Sequence, residues 1–193
     1  MSKSFLRSFI IVPYFARHAC KDVLSNIWNL HVDRPLCIAF IGCITTAIDH
    51  AGFGVRKLLS EAPRDNDDAR VIDTCDTASR RRVSFEDTRL LYSQANFCLI
   101  IGGDAVSSVR MYETMASLCI PIYTDYATMV PFVDDIPWGK IAFYHPISSI
   151  LDVHEMYERL RCLPPELIRS MRKYISEHSQ ASLEQGWRSN CMS

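Results

Sequence analysis

Residues 96–125, NFCLIIGGDAVSSVRMYETMASLCIPIYTD, decide how the rest of the chain is read. An apolar run from Phe97 to Ile101 meets a turn of Gly102, Gly103 and Asp104, and Ser107 and Ser108 can start a helix. A mostly apolar helical segment follows, then a second apolar run ending in Asp125. This is a strand, tight turn, helix and strand. Two parallel strands need such a crossover, since no hairpin can join them. In sheets built this way ligands bind at the carboxyl ends of the strands, where the glycine turn falls.

The same alternation continues on both sides. Residues 36–41 form a short apolar strand closed by Gly42, 69–72 a weaker one, 141–144 a last one, and 9–12 a first one stopped by Pro13. Between them the apolar spacing predicts helices over 21–30 and 55–60. Ser84 is an N-cap, with Glu86 and Asp87 in the first turn, for a helix reaching about Ala95 with Leu90, Leu91 and Phe85 inward. Two more helices close the chain, over 152–161 and after Pro164 and Pro165, where proline fits the first helical turn. Residues 63–68 and 127–140 read as loops. Strands alternating with helices predict an α/β domain with a Rossmann-like, doubly wound parallel sheet over residues 1–180, and a frayed tail over 181–193.

Composition narrows the function classes. With 48% apolar residues, 22% charged and a net charge of −1, the chain reads as soluble and globular, without the basic footprint of a nucleic-acid binder. The triplet Arg80–Arg82 reads as a solvated loop. No apolar run approaches the ~20 residues of a spanning helix. Lys3, Arg7 and the apolar residues 9–15 superficially resemble a signal peptide, but Pro13 interrupts a run already short, which favours a strand. Eight cysteines show no CxxC pair and no zinc-type clustering with histidine. Cys37, Cys98 and Cys119 lie in apolar runs and read as small buried thiols, so the cysteines do not indicate a compartment.

The helix after the glycine turn carries Val109, Met111, Tyr112, Met115, Ala116 and Leu118 nearly all the way round, which predicts a largely buried helix. Its two charges, Arg110 and Glu113, then need partners. They can pair with each other at i, i+3. Alternatively Arg110 reinforces the helix N-terminus in binding a phosphate, and Glu113 accepts sugar hydroxyls. The residues leave both readings open. Gly102 and Gly103 do not complete G-x-G-x-x-G, and GxxxxGK[ST] is absent, which argues against a nicotinamide enzyme and a nucleotide hydrolase.

The order of unusual residues from Phe97 through Asp125, then Val130 to Phe132 and Trp138, resembles the signature of the exostosin family of glycosyltransferases, family 47. That signature joins an FCL-x-P-x-G-D turn, an S-x-R helix start with an acid three residues on, a G-C-I-P-V strand, an acid, L-P-F and a tryptophan. Phe40 and Gly42, with Val55, Arg56, Lys57 and Leu58, resemble the family's F-x-G element and arginine-bearing helix, and residues 160–174 its closing helices. The resemblance runs over residues 9–176. It implies the C-terminal, nucleotide-sugar-binding half of a GT-B fold, with an N-terminal acceptor domain expected but missing here. It also implies a UDP-sugar donor, a glycan acceptor, no metal or other cofactor, and a place in the Golgi or secretory pathway.

Carried over by residue, the resemblance puts Gly103 and Asp104 beneath the nucleotide diphosphate, and Ser107 or Ser108 with Arg110 on its phosphates. Glu113 would hold the ribose, Arg56 would approach the diphosphate from the first βα connection, and Asp125 would lie near the donor sugar. Chemically, a departing diphosphate gathers negative charge that an arginine and a helix N-terminus can stabilise without a metal. The chain departs from the pattern at Ile101 (proline), Leu118 (glycine) and Tyr126 (often an acid).

The remaining candidates have simpler accounts. The six histidines are scattered and read as surface or loop residues. Asp134 and Asp135 could suggest a metal or acid pair but fit ordinary turn chemistry better, and Trp138 fits a packing anchor better than a sugar-stacking platform, with both open. The alternative to a transferase is a truncated, inactive module that binds a nucleotide or a partner. A third reading is an unrelated nucleotide-binding α/β domain.

Overall fold

A computed structural model describes residues 30–44, 53–61, 67–75, 83–102, 109–125, 130 and 136–187, with backbone alone at 53, 85 and 179–187. Its centre is a five-stranded sheet: β1 (Leu36–Gly42), β2 (Ala69–Asp73), β3 (Ala95–Ile100), β4 (Ile120–Tyr123) and β5 (Phe143–Tyr144). The order is β2-β1-β3-β4-β5 and every pairing is parallel. The helices are α1 (Phe53–Glu61), α2 (Phe85–Gln94), α3 (Val109–Ala116), α4 (Trp138–Ile141), α5 (Ile150–Arg161) and α6 (Pro165–Trp187). This is the doubly wound α/β architecture the alternation predicts, consistent with one half of a GT-B fold. The expected strand at 9–12 and helix at 21–30 lie outside the described residues, apart from Leu30.

Residues of β1 and β3 are apolar on both faces because both faces are covered. Ile38 and Phe40, with Phe97 and Leu99, join Val55 and Leu59 of α1 and Val153, Met156 and Leu160 of α5 in the larger core. The alternate residues Ala39, Ile41 and Cys98 join Tyr92 of α2 and Cys119 in a second cluster. Period-two alternation thus sorts one strand's side chains between two helical layers.

Several local expectations hold for the reasons given. Ser84 caps α2, accepting from the Asp87 amide at 3.0 Å while the Asp87 carboxylate accepts from Ser84 N–H at 3.3 Å. Ser149 and Asp152 repeat the capping box at α5, which therefore starts at Ile150, just before the predicted residue 152. The frayed tail expected from residue 181 is instead helical at first, since α6 runs on past Gln180 to Trp187.

Others are corrected. Leu90 faces solvent, 59% exposed, and Tyr92 with Thr88 supplies the buried face of α2, since the true inward stripe is shifted by two residues. Ile141 ends α4 and leaves β5 with two residues. Cys98 and Cys119 are not free thiols but a disulfide that joins β3 to the entry of β4, with a Cα–Cα distance of 5.8 Å. A second disulfide, Cys43–Cys75, joins the ends of β1 and β2 with a Cα–Cα distance of 4.9 Å. Neither pairing has a local sequence signal, because each closes only once distant strands are neighbours.

Helix α3 is also less buried than its composition predicts. Met111, Thr114, Met115 and Ala116 are inside, while Val109 is 38% exposed. Leu118 is not part of the helix; it takes φ 52° just after it. Its amide bonds to Met115 O at 3.0 Å and the Cys119 amide bonds to Thr114 O at 2.9 Å, the hydrogen-bond pair of a Schellman cap. Glycine suits that position, and Leu there costs ~1–2 kcal/mol of backbone strain. Full burial of the Leu118 side chain recovers about 1.5–3 kcal/mol, so the leucine is tolerated.

Candidate functional site

Chain direction reverses across the sheet between β1 and β3, where β1 leads outward to β2 on one side and β3 to β4 on the other. The crevice beyond the carboxyl ends of those strands is where such sheets bind ligands. One guanidinium spans it. Arg56, on α1, donates from Nη1 to Cys43 O at 2.7 Å and from Nη2 to Gly102 O at 2.8 Å. It also stands over the Phe40 ring, 5.9 Å from the centroid.

Phe40 and Gly42 explain each other here. They are two apart on β1 and so share a face; a Cβ on Gly42 would lie 2.6 Å from Phe40 Cζ. Glycine therefore lets the buried ring fold back beneath the arginine. On the far side of the crevice, the Asp125 carboxylate Oδ2 accepts from the Gly102 amide at 3.1 Å. Gly102 is thus held at both polar atoms, its carbonyl by Arg56 and its N–H by Asp125.

Arg110 and Glu113 meet on α3. Nη1 of the arginine lies 2.7 Å from Oε2 of the glutamate, and the side chains are 34% and 13% exposed. Tyr92 lies within electrostatic reach of both, and it packs with Ile41 near the end of β1. Burial pushes the pKa of Tyr92 well above its ordinary value, and that of Tyr123 at the end of β4 likewise, with Tyr112 adding to the latter. Both phenols stay neutral. Trp138 meets the Tyr123 ring edge-on at 6.2 Å and joins the core, as a packing anchor would.

Of the residues singled out in the sequence, the structure brings Arg56 and Asp125 together through Gly102, and it pairs Arg110 with Glu113. Gly103, Asp104, Ser107 and Ser108 lie outside the described residues, as do Asp134, Asp135 and the Arg80–Arg82 triplet. Sequence reasoning missed Asp73, whose Oδ1 accepts from the amides of Ile44 and Cys75, each at 2.9 Å. An acid ending a strand was the available signal. Cys43, Asp73 and Cys75 also offer ligand atoms within 4.8 Å of one another, but both sulfurs are committed to the disulfide. His145 bonds from Nε2 to Asp152 O at 2.9 Å and His178 from Nδ1 to Tyr174 O at 2.9 Å, both local contacts.

A doubly wound parallel sheet with arginine and carboxylate converging on a glycine at its switch point belongs to the ligand-binding α/β class. Comparison with known proteins makes the class specific. The model of the exostosin GT47 domain matches residues 4–160, and the chain belongs to that family. Among relatives, "Probable arabinosyltransferase ARAD1" of Arabidopsis thaliana is 24% identical over 190 residues, covering 93% of this chain and 39% of its own length. "Exostosin-1" of Drosophila melanogaster is 28% identical over 99 residues, covering 51% of this chain and 12% of its own. "Probable beta-1,4-xylosyltransferase IRX10" of Arabidopsis thaliana is 31% identical over 86 residues, covering 45% of this chain and 20% of its own. The chain thus spans well under half of the relatives it matches.

Proposed function

We propose that this chain is the donor-binding part of an exostosin-type glycosyltransferase that moves a sugar from a UDP-sugar to a glycan hydroxyl with inversion. The family match over residues 4–160 carries the reading, and a switch point between β1 and β3, where sheets of this kind bind ligands, supports it. In the reaction the acceptor oxygen bonds to the anomeric carbon as the bond from that carbon to the diphosphate breaks. The acceptor's proton goes to a base on the acceptor-binding part of the enzyme.

In this reading Gly103 and Asp104 lie beneath the diphosphate, and Ser107, Ser108 and Arg110 contact its phosphates. Glu113 accepts from the ribose hydroxyls, Asp125 borders the sugar, and Arg56 adds positive potential at the crevice. Charge on the departing diphosphate is met by cationic side chains and helix N–H groups, so turnover persists in excess chelator. Pentose donors are the first to test, given the relatives named for arabinosyl and xylosyl transfer. The two disulfides among the described residues favour an oxidising compartment, in keeping with the Golgi or secretory pathway.

The second reading is a catalytically inactive module that binds a nucleotide or a partner; Glu113 already meets the charge of Arg110 at 2.7 Å, which leaves a partner as the ligand if UDP does not bind. Calorimetry with UDP and a radiolabelled transfer assay separate the readings. Arg110→Ala is expected to weaken UDP binding about tenfold, the loss of one charge-assisted contact. Its melting temperature should scarcely move, because a partly exposed i, i+3 pair contributes ~0.2–0.5 kcal/mol. UDP binding without transfer, in the presence of the acceptor-binding part, would select the module. No UDP binding to the folded chain would sink the transferase reading and the nucleotide form of the module.

A further inference from the structure

The links across the carboxyl edge of the sheet run in sheet order from β2 to β4. Between β2 and β1 stand the Cys43–Cys75 disulfide, the Ile44 amide on Asp73 Oδ1 at 2.9 Å, and the Thr74 amide on Gly42 O at 3.0 Å. Between β1 and β3 stands Arg56, on Cys43 O and Gly102 O. Between β3 and β4 stands Asp125, on the Gly102 amide. Cys43 belongs to two consecutive links: its sulfur is tied to Cys75 and its carbonyl holds Arg56.

We propose that the Cys43–Cys75 disulfide and Asp73 position the nucleotide crevice, acting through the Cys43 carbonyl, Arg56 and Gly102, and that reducing this disulfide weakens nucleotide binding. The proposal rests on the nucleotide reading of the crevice and adds residues that do not touch the ligand. Two differences make the device selective. Cys75 is exposed, whereas Cys98 and Cys119 of the other disulfide are both 0% exposed. A small dithiol can therefore open the edge disulfide while the core one stays closed, because exchange requires a thiolate to reach a sulfur.

The step balances. One reductant thiolate attacks the Cys75 sulfur and expels the Cys43 thiolate. The second reductant thiolate then attacks the mixed disulfide and expels the Cys75 thiolate. The reductant leaves as a cyclic disulfide, and the protein gains two electrons and two protons as two thiols. Freed of its tether, the segment at Cys43 keeps its hydrogen bonds to Asp73 and Arg56 but loses the constraint that fixes their geometry. Arg56 then grips Gly102 from a mobile anchor.

The experiment uses the full chain and three forms: oxidised, mildly reduced with dithiothreitol, and the double variant Cys43→Ser/Cys75→Ser. Mass spectrometry after alkylation reports which disulfide is open. UDP affinity is measured by calorimetry, and amide exchange at Ile44 and Gly102 by NMR. Opening the edge disulfide alone should weaken UDP binding about tenfold, with the serine variant matching the reduced form. Exchange should accelerate at both Ile44 and Gly102.

Unchanged affinity with the disulfide open overturns the proposal. So does faster exchange at Ile44 with Gly102 unaffected, or thiols found at Cys43 and Cys75 in protein from an oxidising host. If UDP binds none of the forms, the nucleotide reading fails by itself, and exchange at Gly102 alone then decides whether the edge is coupled.

Discussion

Gly42 shows how one residue without a side chain can govern a charged one it does not touch. Its missing Cβ leaves room for the Phe40 ring, whose Cζ would otherwise lie 2.6 Å away, and Arg56 rests on that ring. Phe40 is 3% exposed, so the ring has little freedom to withdraw. Gly42→Ala is therefore expected to cost about 1–3 kcal/mol, the usual range for overpacking a core. Urea unfolding checks it. The cause is testable by a double-mutant cycle: in a Phe40→Leu background the same alanine should cost less than half as much, since the obstructing ring end is gone. Equal cost in both backgrounds would show that the ring is not the reason. Both residues were legible in the sequence as a family element, yet their mutual dependence was not, because it arises from a distance between two side-chain positions.

Among the elements, α5 shows most directly how a helix start couples to pH. Asp152 accepts from the Ser148 amide at 2.7 Å, the Ser148 hydroxyl at 2.8 Å and the Ser149 amide at 2.8 Å. Those donors, the Ser148 amide foremost, hold its carboxyl down at about 2, against an ordinary 3.8. A lowered folded value means the unfolded chain binds the proton more readily. The stabilisation is therefore complete above about pH 4 and is lost as pH falls toward 2. Asp152→Asn removes the charge and keeps an acceptor. Calorimetric melting should show the variant below the wild type at pH 7 and the gap closing near pH 2. A gap that persists at pH 2 would place the effect in the hydrogen-bond geometry and not in ionisation. The cap at α2 was plain from Ser84 and its acids, and the box at α5 uses the same chemistry. The predicted start lagged because hydrophobic spacing begins only after the capping residues.

At the scale of the molecule the two ends of the sheet do different work. The carboxyl edge gathers Arg56, Asp125 and Gly102, while the opposite edge is built around Arg34. That guanidinium donates to Tyr92 O at 3.1 Å and Ala95 O at 2.8 Å, where α2 ends, and to Ser117 O at 2.9 Å, just past α3. Two helix C-termini thus present carbonyls to one cation, the arrangement their dipoles favour. Burial, with Arg172 nearby, lowers Arg34 to about 9, far enough above neutrality that it stays charged. Arg172 itself is 3% exposed and donates to Asn96 Oδ1 and to Val32 O. None of this was legible in the sequence. Arg34 looks like any loop arginine until residues 58 to 83 positions away are brought to it. Its role follows from fold topology, whereas the parallel sheet follows from local pattern. Arg34→Met should remove the side-chain donor from the Ala95 and Ser117 carbonyls, and from Tyr92 O, which keeps the Ala95 amide, and lower stability by about 3 kcal/mol, seen as a reduced urea midpoint with an unchanged m-value. Arg34→Lys should recover only part of it, because a single ammonium cannot match the planar fork. The two edges are separated by the length of β1, ~20 Å at about 3.3 Å per residue. UDP affinity of the folded variant should therefore equal that of the wild type. A large loss of UDP binding in Arg34→Met with the fold intact would mean that the basal arginine and the crevice are coupled through α3, and that the division between a supporting edge and a binding edge does not hold.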